Sequence, residues 1–158
     1  MRIGIDYRIL TVGPSAATRG MPRYTQQQLR EVLASGTDDE FLLFCDPRTD
    51  QSLILPEIRR SPNVGVRLLP EAVTVDSHRD DTLLAKAEVF EAWLASQQVD
   101  VYHATTPFYL DQLIVAQHDA CPYVATVCHR VPLTSPAQYL ATPNPRPPYL
   151  PAGATARR

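Results

Sequence analysis

Residues 81–104, DTLLAKAEVFEAWLASQQVDVYHA, hold the two signals that decide the fold. Leu83, Ala87, Phe90 and Leu94 recur at i, i+4, i+7 and i+11, and Leu84 and Trp93 widen the stripe. That is the spacing of a helix laying one apolar face on a core, and it predicts a helix over 81–98. A short run, DVYHA at 100–104, follows directly. A helix that runs straight into a strand is one half of a βαβ crossover.

The remaining strands lie outward from this pair. RIGIDY at 2–7 is an apolar run ending in polar residues, and FLLFC at 41–45 is a continuous apolar run bounded by Asp39-Glu40 and Asp46-Pro47. The second has the pattern of a buried strand. VGVRLL at 64–69 alternates loosely, and YVATVCH at 123–129 begins after Pro122. From Met21 to Ser35 the pattern is helical, with Leu29, Val32 and Leu33 on one face and Gln26, Gln27 and Arg30 on another. Gly36 stands where such a helix would be capped. Segment 8–20 reads as a flexible loop with Gly13-Pro14 and Gly20 as breakers. Strands separated by helices imply parallel pairing, so the expected class is α/β: a Rossmann-like three-layer domain with a mostly parallel sheet.

One domain is expected over 1–140, since 158 residues fit a prior of about 100–200 per domain. The last stretch, ATPNPRPPYLPAGATARR at 141–158, carries five of the chain's 15 prolines and reads as an extended or disordered tail. Charges are 15 Lys+Arg against 17 Asp+Glu, a formal net of −2, so no excess of cation argues for a nucleic-acid partner. No stretch approaches the roughly 18 apolar residues of a transmembrane segment. MRIGIDYRIL lacks the basic start, apolar run and cleavage site of a secretory signal. Three cysteines without a CxxC pair fit reduced thiols and a cytoplasmic location.

Ligands of open parallel sheets bind beyond the carboxyl ends of the strands. The first strand ends there in Asp6, a loop-ordering carboxylate, followed by Tyr7 and Arg8, and the first long helix starts in GMPRYT at 20–25. His103, Thr105 and Thr106 follow the fourth strand, and His129-Arg130 ends the fifth. Pro22 suits a first helical turn, where its missing N–H is not needed. Arg23 is a cation at the positive end of the helix dipole, a conflict removed by a bound phosphate or eased by a surface carboxylate. Each of His103 and His129 reads either as a ligand contact or as a hydrogen-bonded strand-end residue. No third ligand stands at metal spacing, so neither a metal nor a cofactor is expected. His78 and His118 read as solvated, and Cys45, Cys121 and Cys128 as buried or half-buried thiols. GxSxG, HExxH and GxxxxGK[ST] patterns do not occur.

Taken in order, RIGIDYR (2–8), GMPRYTQQQLREVL (20–33), EFLLF (40–44), DVYHAT (100–105) and VATVCHRVPL (124–133) resemble the N-terminal half of glycosyltransferases of the GT-B architecture. The likeness is to the family-4, mannosyltransferase-like group, whose corresponding stretches read like RIGIDAR, GIGRYT, DVFHSP and VVTIHDLIPL. It implies that Gly20 and Arg23 face the donor diphosphate, that His129 faces the transferred sugar as the catalytic histidine, and that His103 lines the acceptor side. Such enzymes move a sugar from a nucleotide-diphosphate donor to a glycan or lipid-linked acceptor with retention of configuration, largely by positioning and charge stabilisation.

Departures from the pattern are Pro22 for a family glycine and Arg130 for the aspartate after the family histidine. The family's C-terminal donor-binding half, with its E-x7-E element, has no counterpart here. The resemblance therefore implies an acceptor-side domain, truncated relative to the family and inactive by itself. Its exposed apolar surface would favour self-association or a partner chain. The alternative expectation is a non-catalytic glycan- or protein-binding module derived from the same fold.

Overall fold

The computed structural model describes residues 1–18, 20–74, 80–105 and 120–126. Its strands are β1 (Arg2–Asp6), β2 (Glu40–Cys45), β3 (Val64–Leu68), β4 (Val101–Ala104) and β5 (Tyr123–Ala125). They form one sheet in the order β3-β2-β1-β4-β5, and every pairing is parallel. The expected α/β, Rossmann-like class is therefore the observed one. Thr106, His118, His78, Cys128, His129, Arg130 and the tail at 141–158 lie outside the described residues.

The long helices are α2 (Gly20–Ala34), between β1 and β2, and α5 (Asp80–Ser96), between β3 and β4. From β1 the chain steps one way across the sheet to β2 and β3, then crosses back to β4 on the far side of β1. Right-handed crossovers in opposite directions put their helices on opposite faces. Two cores result. On the α2 face Ile5, Tyr7, Leu29, Phe41, Leu43, Ile54 and Ile58 pack together. On the α5 face Leu42, Phe44, Phe90, Leu94, Val99 and Tyr102 do so. Alternate residues of β2 thus enter different cores, which is why FLLFC carries no polar position.

Phe44 is the centre of the second core: its ring lies 4.8 Å from Trp93 edge to face and 5.9 Å from Tyr102 in a stacked arrangement. The ring covers β1 at Gly4, where a Cβ would sit 2.6 Å from Phe44 Cε2. A side chain at residue 4 and an aromatic at residue 44 exclude each other in this packing. After α2 the chain turns through Gly36 at φ 77°, a left-handed position that favours glycine.

Segment 8–20 is more structured than a flexible loop. A 3-10 turn (Arg8–Val12) and α1 (Pro14–Ala17) occupy it, and Tyr7, Ile9, Leu10 and Ala17 are buried. Its apolar residues are too few to show a period, yet they fill the end of the α2-face core. Three further short pieces, a 3-10 turn (Gln51–Leu53), α3 (Pro56–Arg59) and α4 (Glu71–Thr74), lie on either side of β3 in the chain. Among the described residues no helix is long and apolar enough to cross a membrane.

Candidate functional site

The sheet order reverses between β1 and β4, so the crevice beyond their carboxyl ends is where a ligand of such a sheet binds. Asp6 closes β1 at this point and faces the α5 side. Its Oδ1 accepts from the Arg8 backbone N–H and Nε, both at 3.0 Å, and its Oδ2 accepts from Arg8 Nη2 at 2.6 Å. The Tyr102 hydroxyl donates to the same Oδ2 at 3.1 Å, and Arg8 Nη2 reaches Tyr102 at 3.4 Å. Thr105 Oγ1 donates to the Asp6 carbonyl at 2.6 Å. The guanidinium also lies over the Phe90 ring, 5.3 Å from its centroid.

All four polar residues are buried. Burial would lower the Arg8 pKa, but the Asp6 charge, Tyr102 and the hydrogen bonds to both together outweigh it and the net shift is upward, so the guanidinium stays charged. Burial and the Asp6 charge both push the Tyr102 phenol well above its ordinary range, so the hydroxyl remains a donor. Asp6 acts as the loop-ordering carboxylate, because Arg8 begins the 3-10 turn that it holds. Tyr7 and Arg8 are packed inside the chain instead of facing a ligand.

The same clip recurs one strand over. Asp46, just past β2, accepts from the Arg48 backbone N–H at 2.8 Å, from Nε at 2.9 Å and from Nη2 at 2.8 Å. Burial raises the Asp46 pKa, but the hydrogen bonds from Arg48 win and hold it below the usual carboxylate range. Here the arginine side chain is 55% exposed, against 8% for Arg8. Between the clips the Cys45 thiol is pushed up to about 12 by burial and by the two carboxylates, so it is no thiolate nucleophile. Tyr7 is fully buried, and its hydroxyl makes no hydrogen bond among the described residues.

His103 lies on β4 opposite Ile5 of β1 and Val124 of β5, on the α2 face of the sheet. Its Nε2 is 2.7 Å from Thr126 Oγ1, just past the end of β5, with donor and acceptor set by the tautomer. Burial lowers its pKa, and the nearby Asp6 charge only partly offsets this. The neutral ring is thus a hydrogen-bonding group at neutral pH. A folded pKa below the unfolded value of about 6.5 means that the unfolded chain binds the proton first. Stability from this site is full above that value and is lost as pH falls towards the folded pKa. Urea midpoints measured from pH 8 down to 5 should fall, and His103→Gln should flatten that part of the profile; equal slopes for both chains would refute the assignment.

Gly20 starts α2 at φ 58° with open space where a Cβ would stand. Pro22 falls in the first turn, as its missing N–H allows, and is buried. Arg23 is exposed and makes no ion pair among the described residues. It stands three residues before Gln26 on the same helix flank. Gln26, expected on the polar face, is buried there, and its Oε1 accepts from the Leu55 N–H at 2.8 Å. Gly20 and Arg23 therefore stand together in the first turn of α2, and His103 with Thr126 lies at the β4–β5 end of the sheet. Cys121, like Cys45, is a buried thiol. Among the described residues no group of three His, Cys, Asp or Glu side chains could hold a metal ion.

Neither a family model, nor a curated protein, nor a solved structure matches this chain.

Proposed function

We propose that this chain is the acceptor-side α/β domain of a retaining glycosyltransferase, working opposite a second α/β domain that binds the nucleotide-diphosphate donor. The observation that carries this reading is the plug at the end of β1. In nucleotide-binding sheets of this kind the first strand opens into a glycine-rich turn whose backbone reaches the phosphates. Here the corresponding space holds the Asp6–Arg8–Tyr102 cluster, tied down by Thr105. Beside it, among the described residues, stands the half-buried His103–Thr126 pair, a neutral imidazole and a hydroxyl. Groups of this type suit sugar hydroxyls better than phosphates. The ordered set of resembling segments, from RIGIDYR to VATVCHRVPL, supports the same reading.

In this scheme His103 lines the acceptor side, and Gly20, Arg23 and Arg130 border the donor diphosphate. His129 faces the transferred sugar. Catalysis would come from holding donor and acceptor together and from stabilising the departing diphosphate, with no nucleophile required of this domain.

Amide NMR of the full chain, titrated separately with nucleoside diphosphates, nucleotide-sugars and a panel of oligosaccharides, tests the reading. Saccharides should shift His103, Thr105 and Thr126, and nucleotides alone should leave Asp6, Arg8 and Tyr102 unchanged. Nucleotide binding at that plug, or robust sugar transfer by the chain alone, would overturn it, as would a panel with no saccharide response. Where saccharide binding holds, His129→Ala in an enzyme completed with a donor domain separates the two alternatives. Loss of transfer supports catalysis, and unchanged transfer assigns the chain a binding role only.

A further inference from the structure

β3 stands at one edge of the sheet and, among the described residues, pairs with β2 alone. The Phe41 N–H donates to the Asn63 carbonyl at 2.8 Å, and the Leu69 N–H donates to the Cys45 carbonyl at 3.0 Å. Backbone groups alternate in direction along a strand, so residues 63, 65, 67 and 69 turn theirs to β2. Val64, Val66 and Leu68 turn theirs outward. Such a row is a template on which another strand can add. Two of its groups are already taken within the chain. The Val64 N–H donates to the Ser61 carbonyl at 3.2 Å, and Arg67 Nη1 donates to the Val66 carbonyl at 3.0 Å. Arg67 folds back over Gly65 to do so, since a Cβ at residue 65 would stand 3.5 Å from that same nitrogen. Arg67 is exposed and makes no ion pair among the described residues.

We infer that Arg67 guards this edge, and that the strand it keeps off is β3 of a second copy of the chain. An antiparallel pair centred on Val66 would exchange two hydrogen bonds between the two Val66 residues. It would also set Val64 against Leu68 and Gly65 against Arg67, so the edge is complementary to itself in that register. Val64 and Val66 already pack on the α2-face core, and the pair would extend that core across the edge. Leu68, 48% exposed, would gain a valine neighbour.

Arg67 opposes this pair in two ways. Its guanidinium holds the Val66 carbonyl that the second copy would need. The two arginines would also stand on one diagonal of the pair and on the same face of the sheet, within reach of each other, where like charges repel. Placing a charged side chain on an edge strand is a general means of keeping sheets from joining.

The test compares the full wild-type chain with Arg67→Thr, a short, uncharged residue that suits a strand, by analytical ultracentrifugation and amide exchange. In the wild type the Gly65 and Arg67 amides should be protected by β2, and the Val66 and Leu68 amides should exchange fast. Arg67→Thr should self-associate at least tenfold more tightly than the wild type. Its Val66 and Leu68 amides should become protected as concentration rises. Adding Val66→Pro removes an outward N–H and no bond to β2, so association should return to the wild-type level. Equal association by the wild type and Arg67→Thr would overturn the proposal. So would tighter association that leaves the Val66 and Leu68 amides exchanging fast, or that survives Val66→Pro.

Discussion

Arg8→Met should destabilise the fold by about 3–5 kcal/mol, the cost of breaking a buried ion pair from one side. The methionine restores much of the apolar stem but leaves the Asp6 carboxylate buried with, among the described residues, only the Tyr102 hydroxyl and one backbone N–H as donors. Against a total stability of about 5–15 kcal/mol for a domain, that is a large share. Trp93, the single tryptophan, packs 4.8 Å from Phe44 and reports the α5-face core, so urea unfolding followed by its fluorescence measures the loss directly. Adding Asp6→Leu to Arg8→Met removes the stranded charge and should recover part of the loss. Recovery stays incomplete because the Tyr102 hydroxyl and the residue-8 N–H lose their acceptor. A change below about 1 kcal/mol for Arg8→Met would mean the pair is solvated, as exposed pairs are.

The sheet was legible because each strand carries its own signal. FLLFC shows burial on both faces, and the stripe of 81–98 stops within two residues of the observed end of α5 at Ser96. Asp6 was readable as a loop-ordering carboxylate because an aspartate after an apolar run has few other tasks. Its partners were not. Arg8 looks like a surface cation until Tyr102 and Phe90, some ninety residues later, close over it, and no local period encodes that pairing. Gln26 failed for the same reason: polarity marks a residue as outward, and only tertiary contact makes an exception. One signal was present, since Asp-x-Arg occurs at 6–8 and again at 46–48, the first starting on the last residue of β1 and the second just past β2. Repetition of a charged pair at equivalent strand ends is a reason to expect a clip.

Phe90→Ala should cost about 3–5 kcal/mol, as for other buried aromatics truncated to alanine. The ring is 1% exposed and packs, among the described residues, against Tyr102 at 5.6 Å edge to face, Trp93 at 6.0 Å and the Arg8 guanidinium at 5.3 Å. Apolar burial explains most of the loss, and Phe90→Leu, which keeps that burial, should cost far less, about 1–2 kcal/mol. The remainder belongs to the quadrupole of the ring acting on Arg8, for which a desolvated cation–π contact gives up to about 2 kcal/mol. A double-mutant cycle of Phe90→Leu with Arg8→Met isolates it, because the coupling vanishes when either partner is gone. Strong coupling would tie the inner face of α5 to the plug at the end of β1, so that a ligand pressing on that carboxyl edge is felt along the helix. Additive losses would instead leave Phe90 as packing alone and confine the cluster to Asp6, Arg8, Tyr102 and Thr105.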